Sequence, residues 1–494
     1  MTPATGSEHA GPSLRIQRIG LMLGPALALV IYALIPDADA GGLGHAGRAT
    51  AAVGVLMATW WLCETLPLPA TALLPLGLFP LLGVAGMAAT AKPYASDIIF
   101  LFMGGFILGL AMERWGLHRR VALHIVAAVG TGPRRLVAGF MLASAGLSMW
   151  ISNTAAAIIL LPVAISVIRM VSEPDAPDAP DDPALTSFAT CLLLAIAYAA
   201  SIGGVGTLIG SPPNLVAAGY LEHELGCRIG MLDWMRFGIP LVAVFLPLAW
   251  AYLTWWAFPM RLTSLGTGRE QIGKAVAALG PMSRGEKIVS IVFGLTALAW
   301  ILRPQLAELP GLALLTDPTI AILSALSLFL IPVRRGVPAM DWDTTLRLPW
   351  GVLLLFGGGL SLAEAIGTHG VDHFIAGGIG GLGAVPATVL LLAVVTLVIF
   401  ATELTSNTAV ATTFVPVLAA VAVGLGAPPA MLVVAVALSA SYAFIMPVAT
   451  PPNAIVFGTG RVSVGQMARA GFALNLLAIP PVALTAWLAA PGLC

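Results

Sequence analysis

Two polar motifs occur twice in this chain, and every copy lies within long apolar sequence. Ser-Asn-Thr stands at 152–154 and at 406–408, and Pro-Pro-Asn stands at 212–214 and at 451–453. Hydroxyl and amide side chains donate and accept hydrogen bonds without carrying charge, so they can bind small ions. The sequence has no convincing GxSxG or HExxH motif and no paired catalytic carboxylates, which argues against an enzyme.

The Ser-Asn-Thr motifs are predicted to interrupt two helices. The helix that restarts near Thr154 or Thr408 directs free N–H groups and a partial positive charge towards the gap, which favours an anion. The helix before each gap leaves carbonyl oxygens without partners, and such oxygens suit sodium, a hard cation. Non-helical backbone at membrane depth is tolerated only where protein buries it or where it lines a wet cavity.

The Pro-Pro steps are predicted to open two further helices, because proline has no N–H and clashes with the preceding turn. Carbonyl oxygens near Gly210 and Ala449 then become available to an ion. Asn214 and Asn453, which follow the prolines, are predicted to cap the restarted helices. Glu403 is predicted to brace the second Ser-Asn-Thr interruption rather than to contact a substrate.

The composition is that of an integral membrane protein. Of 494 residues, 59% are hydrophobic and 9% are charged, whereas a soluble domain carries about 25% charged residues. The net charge is zero, which argues against a nucleic-acid partner. The four cysteines are scattered through the chain, so neither a disulfide framework nor a zinc site is indicated.

An internal repeat relates the two halves of the chain. Ser152 and Ser406 are 254 residues apart, as are Gly116 and Gly370. The Pro-Pro-Asn motifs are only 239 residues apart. An acidic, proline-rich run at 173–183 accounts for the difference, and it is predicted to be a surface loop inserted in the first half.

The predicted fold is an all-α polytopic membrane protein with about eleven transmembrane helices and two re-entrant hairpins. The crossings are predicted at roughly 17–36, 48–65, 68–87, 97–115, 187–220, 233–258, 287–303, 316–333, 348–367, 429–457 and 469–490. The segments at 135–170 and 384–424 carry Ser-Asn-Thr at their middle and have arms that are short for a full span, so they are predicted to be the hairpins. An odd number of crossings in each half inverts the second half relative to the first.

Lysine and arginine set the predicted orientation. With the N-terminus in the cytoplasm, this layout puts the basic residues on the cytoplasmic side, with the exception of Arg48, Lys92, Arg228, Arg236 and Arg303. That bias fits the positive-inside rule. The protein is therefore predicted to lie in the plasma (inner) membrane with its C-terminus external.

The sequence resembles the divalent anion/sodium symporter (DASS) family. The resemblance rests on Ser-Met-Trp-Ile-Ser-Asn-Thr at 148–154, Thr-Glu-Leu-Thr-Ser-Asn-Thr at 402–408 and the two Pro-Pro-Asn motifs, and it extends from about residue 15 to residue 490. Members of this family move dicarboxylates, citrate or sulfate. The resemblance implies a homodimer in which each protomer combines a scaffold domain with a transport domain that moves as an elevator.

The same resemblance implies a division of the chain. After a disordered N-terminus at 1–14, residues 15–130 are expected to form the first half of the scaffold domain. Residues 131–260 are expected to form the first half of the transport domain, with the hairpin at 135–170 and a broken helix at 187–220. The second halves are expected at 261–380 for the scaffold and at 381–494 for the transport domain, the latter with the hairpin at 384–424 and a broken helix at 429–457.

Two sodium sites and one substrate site are also implied by the resemblance. One sodium ion is expected among Ser148, Ser152, Asn153 and the carbonyl of Gly210, and a second among Thr402, Ser406, Asn407 and the carbonyl of Ala449. The carboxylates of the substrate are expected at Asn153, Thr154, Asn407 and Thr408, with Thr450 and Pro451 nearby.

The predicted function is sodium-coupled symport of C4-dicarboxylates such as succinate, malate and fumarate. One alternative is a sodium-independent dicarboxylate exchanger, in which basic residues replace the sodium. No lysine or arginine lies near either motif pair, which favours the symporter. A sodium-coupled transporter of sulfate or citrate is a second alternative, and a channel, which would need a continuous polar pathway, is a third.

Overall fold

A computed structural model describes residues 14–130, 132–171, 183–260, 262, 268–380 and 385–493. Within these residues, seven helical segments are long and apolar enough to cross a membrane: Arg15–Leu34, Met87–Arg114, Pro183–Gly204, Met231–Ala257, Trp350–Thr368, Asn407–Gly424 and Val464–Gly492. Shorter apolar helical segments lie at Leu68–Leu81, Asn153–Arg169, Asp317–Leu330, Ala387–Ala401 and Pro429–Ala440. The chain is thus an all-α polytopic membrane protein, as its sequence predicts.

Two predicted features fall largely outside the described residues. The disordered N-terminus was expected at 1–14, and α1 begins at Leu14. The acidic loop was expected at 173–183, and the described chain resumes at Pro183, where a long helix begins.

The first half of the chain contains twelve helices within its described residues. They are α1 (Leu14–Leu34), α2 (His45–Leu62), α3 (Leu68–Thr71), α4 (Leu74–Leu81), α5 (Met87–Ala91), α6 (Asp97–Arg114), α7 (Leu117–Val129), α8 (Pro133–Ser148), α9 (Asn153–Val171), α10 (Pro183–Gly204), α11 (Pro212–Leu225) and α12 (Met231–Ala251). A π-helical segment, Tyr252–Ala257, extends α12, and short 3₁₀ turns lie at Ala38–Ala40, Lys92–Ala95 and Leu208–Gly210.

Within its described residues, the second half also contains twelve helices, together with one small hairpin of strands. Its helices are α13 (Gly268–Ala277), α14 (Arg284–Ile301), α15 (Arg303–Ala307), α16 (Asp317–Leu330), α17 (Trp342–Thr345), α18 (Trp350–Thr368), α19 (Val371–Gly380), α20 (Ala387–Ala401), α21 (Asn407–Gly424), α22 (Pro429–Ala440), α23 (Pro451–Phe457) and α24 (Val464–Ala489). Strands β1 (Pro332–Arg334) and β2 (Val337–Pro338) pair antiparallel, and a 3₁₀ turn lies at Ala490–Gly492.

The deepest part of the molecule is formed by α10 and α22, the first arms of the two broken helices. Residues 188–204 of α10 and 430–440 of α22 are buried on every side, which is the pattern of a helix enclosed by other helices. α10 packs against α8 and α9, and α22 packs against α20, α21 and α24. The two broken helices therefore lie at the centre, with the hairpin helices around them.

Several helices lie outside the segments predicted from the sequence, and α7 and α19 are a matched pair among them. They begin at Leu117 and Val371, which are 254 residues apart and so keep the register of the repeat. Each follows a glycine in the left-handed region, Gly116 at φ 75° and Gly370 at φ 69°. Glycine adopts this conformation without strain, so the sharp turn at the end of α6 and of α18 is built the same way in both halves.

The crossing predicted at 68–87 is shorter than expected and is interrupted. Apolar helix extends from Leu68 to Leu81, and it breaks between Thr71 and Leu74. Pro75 stands in the first turn of α4, where proline suits a helix start but cannot continue the preceding helix. Cys227 departs from expectation too, because it is disulfide-bonded, whereas Cys63 and Cys191 are free thiols.

Candidate functional site

Both Ser-Asn-Thr motifs lie at the tip of a helical hairpin. α8 ends at Ser148 and α9 begins at Asn153, and in the second half α20 ends at Ala401 and α21 begins at Asn407. The two helices of each hairpin pack against each other. The restarted helices therefore begin one residue before the predicted threonines, and their first N–H groups face the interruption.

Both broken helices open where the sequence predicts. α10 ends at Gly204 and α11 begins at Pro212, whereas α22 ends at Ala440 and α23 begins at Pro451. The prolines stand in the first turn of the restarted helices, where their missing N–H groups would lack a helical partner in any case. The interruption itself leaves a stretch of non-helical backbone in the most buried part of the protein.

A cluster of oxygen atoms gathers around the first hairpin tip. The hydroxyl of Ser148 donates to Oδ1 of Asn153 and to the carbonyl of Ala200. A Cβ placed on Gly204 would lie 2.8 Å from Oδ1 of Asn153 and 3.1 Å from the carbonyl oxygen of Gly210. Ser148, Asn153 and Gly210 therefore lie close together around this hairpin tip.

Two glycines make this first oxygen cluster possible. A Cβ on Gly210 would lie 2.5 Å from the carbonyl oxygen of Gly204 and 3.0 Å from that of Ser148. Any larger residue would push these carbonyls apart. Side-chain and backbone oxygens that converge from three chain segments, without a positive side chain, are the donor set that a hard cation prefers.

The second hairpin tip repeats part of this arrangement. Oγ1 of Thr402 donates to Oδ1 of Asn407 at 2.7 Å and to the carbonyl of Ala440 at 2.9 Å. Thr402 and Ala449 are buried, and Asn407 is half-buried. The hydroxyl and the asparagine oxygen therefore make matching contacts in both halves, with serine at 148 and threonine at 402.

Ser152 and Ser406 do not join these clusters through a side-chain hydrogen bond. Oγ of Ser152 instead accepts a hydrogen bond from the N–H of Ala155 at 3.2 Å, so it caps α9. Ser406 occupies the cap position of α21 without a side-chain capping bond.

The residues expected to meet the substrate lie at helix starts. Asn153, Thr154, Asn407 and Thr408 are half-buried near the starts of α9 and α21, in contrast to the fully buried helices behind them. Pro451, at the start of α23, is exposed. This set combines partial access with N-terminal helix ends, which favour negative charge.

The cap positions of α11 and α23 are not occupied by the residues that the sequence predicted. Oγ1 of Thr450 accepts from the N–H of Asn453 at 3.4 Å, so Thr450 caps α23. Ser211 holds the cap position of α11, although it makes no side-chain capping bond. The prediction that Asn214 and Asn453 cap these helices was wrong, because both lie inside the first helical turn and their side chains turn back onto the interruption.

Direct contacts join the two halves at the interruptions. Oγ of Ser211, in the first break, lies 2.9 Å from Oγ of Ser441, in the second. α11 packs against α21 and α22, and α23 packs against α9 and α10. Each broken helix thus contacts the hairpin of the other half. Ser441 was not anticipated, because its residue type is common in membrane helices and it lies outside the repeated motifs.

Glu403 braces the second hairpin, as its position suggested. Its carboxylate accepts hydrogen bonds from the backbone N–H groups of Phe444, Ile445 and Met446 at 2.6 to 3.0 Å, and from Nδ2 of Asn475 at 2.7 Å. The side chain is only 3% exposed. The carboxylate is therefore hydrogen-bonded inside the protein and does not face the half-buried residues at the helix starts.

The sequence matches a known family over most of its length. Residues 18–490 match the family model described as the sodium:sulfate symporter transmembrane region. A protein named sodium-dependent dicarboxylate transporter SdcS from Staphylococcus saprophyticus is 41% identical over 480 residues, which cover 96% of this chain and 92% of that protein. The protein of the same name from Staphylococcus aureus strain USA300 is 39% identical over 489 residues, which cover 98% of this chain and 93% of that protein.

Solved structures share the fold at low sequence identity. The Alcanivorax borkumensis YdaH transporter superposes with a TM-score of 0.57 at 17% identity, covering 96% of this chain and 97% of its own. Neisseria gonorrhoeae MtrF, described as one of a class of antimetabolite efflux pumps, superposes with a TM-score of 0.54 at 10% identity, covering 83% of this chain and 84% of its own. At such identity these likenesses concern the architecture alone.

Proposed function

This chain belongs to the sodium:sulfate symporter family, and from that membership we propose that it is a sodium-coupled symporter of C4-dicarboxylates such as succinate, malate and fumarate. One observation carries the proposal. A buried hydroxyl donates to the Oδ1 of an asparagine at both hairpin tips, Ser148 to Asn153 and Thr402 to Asn407. Each pair lies beside the start of a helix, so a cation site and an anion site adjoin in both halves.

The two matching tips suit a substrate with two carboxylates. We assign one carboxylate to Asn153 and Thr154 and the other to Asn407 and Thr408, with Thr450 and Pro451 beside them. The N-terminal ends of α9 and α21 favour negative charge. The relatives named sodium-dependent dicarboxylate transporter agree with a substrate of this class.

Sodium is the coupled ion in this proposal because none of the residues that we assign to the substrate carries a charge. Transfer of a dianion into a neutral, partly dehydrated site is unfavourable unless cations compensate its charge. We assign one sodium ion to Ser148, Ser152, Asn153 and the carbonyl of Gly210. We assign the other to Thr402, Ser406, Asn407 and the carbonyl of Ala449. Sodium that binds first orders the hairpin tips, which gives positive coupling between ion and substrate.

Transport then requires the bound solutes to reach both sides of the membrane. We propose that 15–130 and 261–380 form a scaffold, and that 131–260 and 381–494 form a transport domain that moves against it as an elevator, in a homodimer. The N-terminus is placed in the cytoplasm and the C-terminus outside. Cys227, which is disulfide-bonded, falls in an external segment of that layout, and disulfides persist on that side of the membrane.

The test is uptake of labelled succinate by purified protein in liposomes, with an inward gradient of sodium, of potassium or of protons as the only variable. We expect concentrative uptake with sodium alone. Uptake that proceeds equally in all three gradients would contradict the proposal. Counterflow of dicarboxylate without sodium would instead identify the exchanger.

Competition distinguishes the possible anions. The family is described by its sulfate transporters, so sulfate and citrate are included beside malate and fumarate as unlabelled competitors. We expect malate and fumarate to inhibit succinate uptake at concentrations near that of the substrate. Inhibition by sulfate or citrate at lower concentrations than by malate would reassign the substrate within the same fold.

A further inference from the structure

Asn214 is a fully buried side chain in the first turn of α11. Its Nδ2 donates to two backbone carbonyls of the first interruption, that of Gly204 at 3.0 Å and that of Thr207 at 2.8 Å. Both amide hydrogens are thereby used. The side chain joins the end of α10 to the 3₁₀ turn and to the start of α11, so one residue fixes the shape of the whole interruption.

Asn453 does the same in the second half, 239 residues later. It is also fully buried, and its Nδ2 donates to the carbonyls of Ala443 and Met446 at 3.1 Å each. These two acceptors lie 239 residues after Gly204 and Thr207. The hydrogen-bond pattern is therefore kept across the repeat, although the residues that supply the carbonyls have changed.

Each asparagine is linked to a peptide group assigned to a sodium site. The carbonyl of Thr207, which accepts from Asn214, also accepts from the N–H of Gly210 at 3.3 Å. The carbonyl of Met446, which accepts from Asn453, also accepts from the N–H of Ala449 at 3.2 Å. In each half, one carbonyl therefore accepts two hydrogen bonds. One comes from the asparagine side chain, and the other comes from the backbone N–H of the residue whose own carbonyl is assigned to the cation.

The two halves share the hydrogen bonds that this asparagine donates, rather than any that it accepts. Nδ2 donates to two backbone carbonyls at each interruption, whereas Oδ1 of Asn214 and Oδ1 of Asn453 accept no hydrogen bond from the described residues. The donors to the interruption are therefore the feature that the two halves share.

We propose that Asn214 and Asn453 are positioning residues that set the affinity of the two sodium sites. Neither contacts an ion directly. Each holds one interruption in the conformation that directs the carbonyl of Gly210 or of Ala449 towards its cation. Groups that orient metal ligands from behind change metal affinity by about 10–100-fold when they are removed. This inference rests on the proposed sodium-coupled function.

The experiment compares sodium dependence in Asn214→Ala, Asn214→Leu, Asn453→Ala and Asn453→Leu. Leucine fills the volume of asparagine without a donor, so it separates the loss of the hydrogen bonds from the loss of packing. Two quantities are measured. One is the sodium concentration for half-maximal succinate uptake in liposomes. The other is the rise in melting temperature of the purified protein on addition of sodium alone.

We expect the half-maximal sodium concentration to rise about tenfold or more in each variant. The sodium concentration that gives half of the full rise in melting temperature should increase by the same factor. The maximal uptake rate at saturating sodium should stay close to that of the wild type. Thr296→Val is the matched control, because Thr296 is 2% exposed and its hydroxyl bonds only within its own helix, to the carbonyl of Val292 at 2.7 Å. It should leave the sodium dependence unchanged.

Two failures are distinguishable. If the wild-type protein takes up succinate without sodium, the proposed function is wrong. If the wild-type protein needs sodium but a folded variant of either asparagine keeps its half-maximal sodium concentration, the positioning inference alone is wrong. A lower melting temperature without sodium, combined with unchanged sodium dependence, would likewise overturn it, because that result describes a structural role.

Discussion

Both carboxylate oxygens of Glu403 accept a hydrogen bond from the backbone N–H of Ile445, each at 3.0 Å. The N–H groups of Phe444 and Met446 flank this pair, at 2.6 and 3.0 Å. These successive N–H groups can converge on one carboxylate because the backbone after α22 is no longer helical and does not supply them with helical carbonyl partners. A cluster of this kind binds anions, and here the anion belongs to the protein. Glu403 thereby ties the second hairpin to the second broken helix.

We therefore expect Glu403→Gln to disable transport. Glutamine would direct its amide N–H groups at backbone N–H groups that need an acceptor, and hydrogen bonds to a charged group contribute about 1.5–3 kcal/mol each. Succinate uptake should fall by about tenfold or more. The melting temperature of the protein should also fall. Both are measured on purified protein.

Glu113→Gln is the matched control for Glu403. Glu113 faces Arg347 across 3.7 Å, and the arginine side chain is 65% exposed, so the pair contributes little to stability. Uptake and melting temperature near those of the wild type are expected for this variant. If Glu403→Gln also behaved in this way, the buried carboxylate would not hold the hairpin.

The hydroxyls of Ser148 and Thr402 should be interchangeable between the halves. Both donate to the Oδ1 of the asparagine that begins the next helix, so Ser148→Thr and Thr402→Ser keep the contact. Ser148→Ala and Thr402→Val remove it, and the half-maximal sodium concentration should rise by about tenfold, the usual loss for a missing ligand or its orienting group. Sodium-dependent uptake measures all four. Equal sodium dependence in the hydroxyl-free variants would remove these residues from the cation sites.

Thr154 and Thr408 should affect the substrate more than the ion. Each follows the first residue of its restarted helix and is half-buried. Replacement by valine keeps the shape and removes a hydroxyl, and a lost hydrogen bond to a charged carboxylate costs about 1.5–3 kcal/mol. The KM for succinate at saturating sodium should therefore rise roughly tenfold or more. Thr154→Ser and Thr408→Ser, which keep the hydroxyl, should stay near the wild type. A change confined to the sodium dependence would contradict the assignment.

Gly203 and Gly146 provide a test of how α8 and α10 pack. A Cβ on Gly203 would lie 2.3 Å from the carbonyl oxygen of Ala145, whereas a Cβ on Gly146, the next residue of α8, would have no atom within 4 Å. Overpacking of this kind costs about 1–3 kcal/mol or more. Gly203→Ala should lower the melting temperature and the yield of folded protein, and Gly146→Ala should not. Equal stability of the two variants would mean that α10 approaches α8 less closely.

Much of the site is predictable because each interruption has a local cause. Proline has no N–H to donate, so Pro212 and Pro451 mark where helices restart whatever surrounds them. The constant distance between repeated motifs also fixes the correspondence of Ser148 with Thr402 and of Asn153 with Asn407. These features depend only on residue type and on order in the chain.

Backbone acceptors were not predictable from residue type. The carbonyls of Ala200 and Ala440 accept hydrogen bonds from the hydroxyls of Ser148 and Thr402. Any residue at those two positions would offer a carbonyl, so its type carries no signal. The position of Asn214 and Asn453 beside proline suggests helix caps, and only the fold shows that their amides turn back to the interruption. The acceptor to which each of these side chains donates is decided by tertiary contacts.

The helices α7 and α19 were not predicted for a different reason. Their hydrophobic pattern is amphipathic and short, so it resembles neither a full span nor a polar loop. Gly116 and Gly370 match across the repeat, and their positive φ values, 75° and 69°, explain the match. A repeated glycine at the end of a predicted span is thus a signal for a sharp turn into a further helix.

Arg120 and Glu286 join α7 to the start of α14 and give the protein a pH-dependent contact. Nε of Arg120 donates to Glu286 at 2.7 Å, and the guanidinium also donates to the carbonyls of Gly280 at 3.0 Å and of Leu279 at 3.2 Å. Both side chains are largely buried, at 13% and 8% exposed. The hydrogen bond from Arg120 holds the pKa of Glu286 below its ordinary value of 4.5.

The sign of the pH effect follows from that lowered pKa. A carboxyl that is more acidic in the folded protein stabilises it above the unfolded pKa, and the stabilisation disappears as the pH falls through the folded pKa. Glu286→Gln should therefore lower the melting temperature at neutral pH, by the equivalent of about 1–3 kcal/mol. The difference from the wild type should stay constant down to about pH 5 and shrink below it.

Arg347→Ala is the control for this prediction, because Arg347 is 65% exposed and lies as far as 3.7 Å from Glu113, so its ion pair contributes little. Its melting temperature should match that of the wild type at every pH. A gap between Glu286→Gln and the wild type that widened as the pH fell would contradict the lowered pKa. In that case the pKa of Glu286 would be raised in the folded protein, and the ion pair with Arg120 would not be what stabilises the carboxylate.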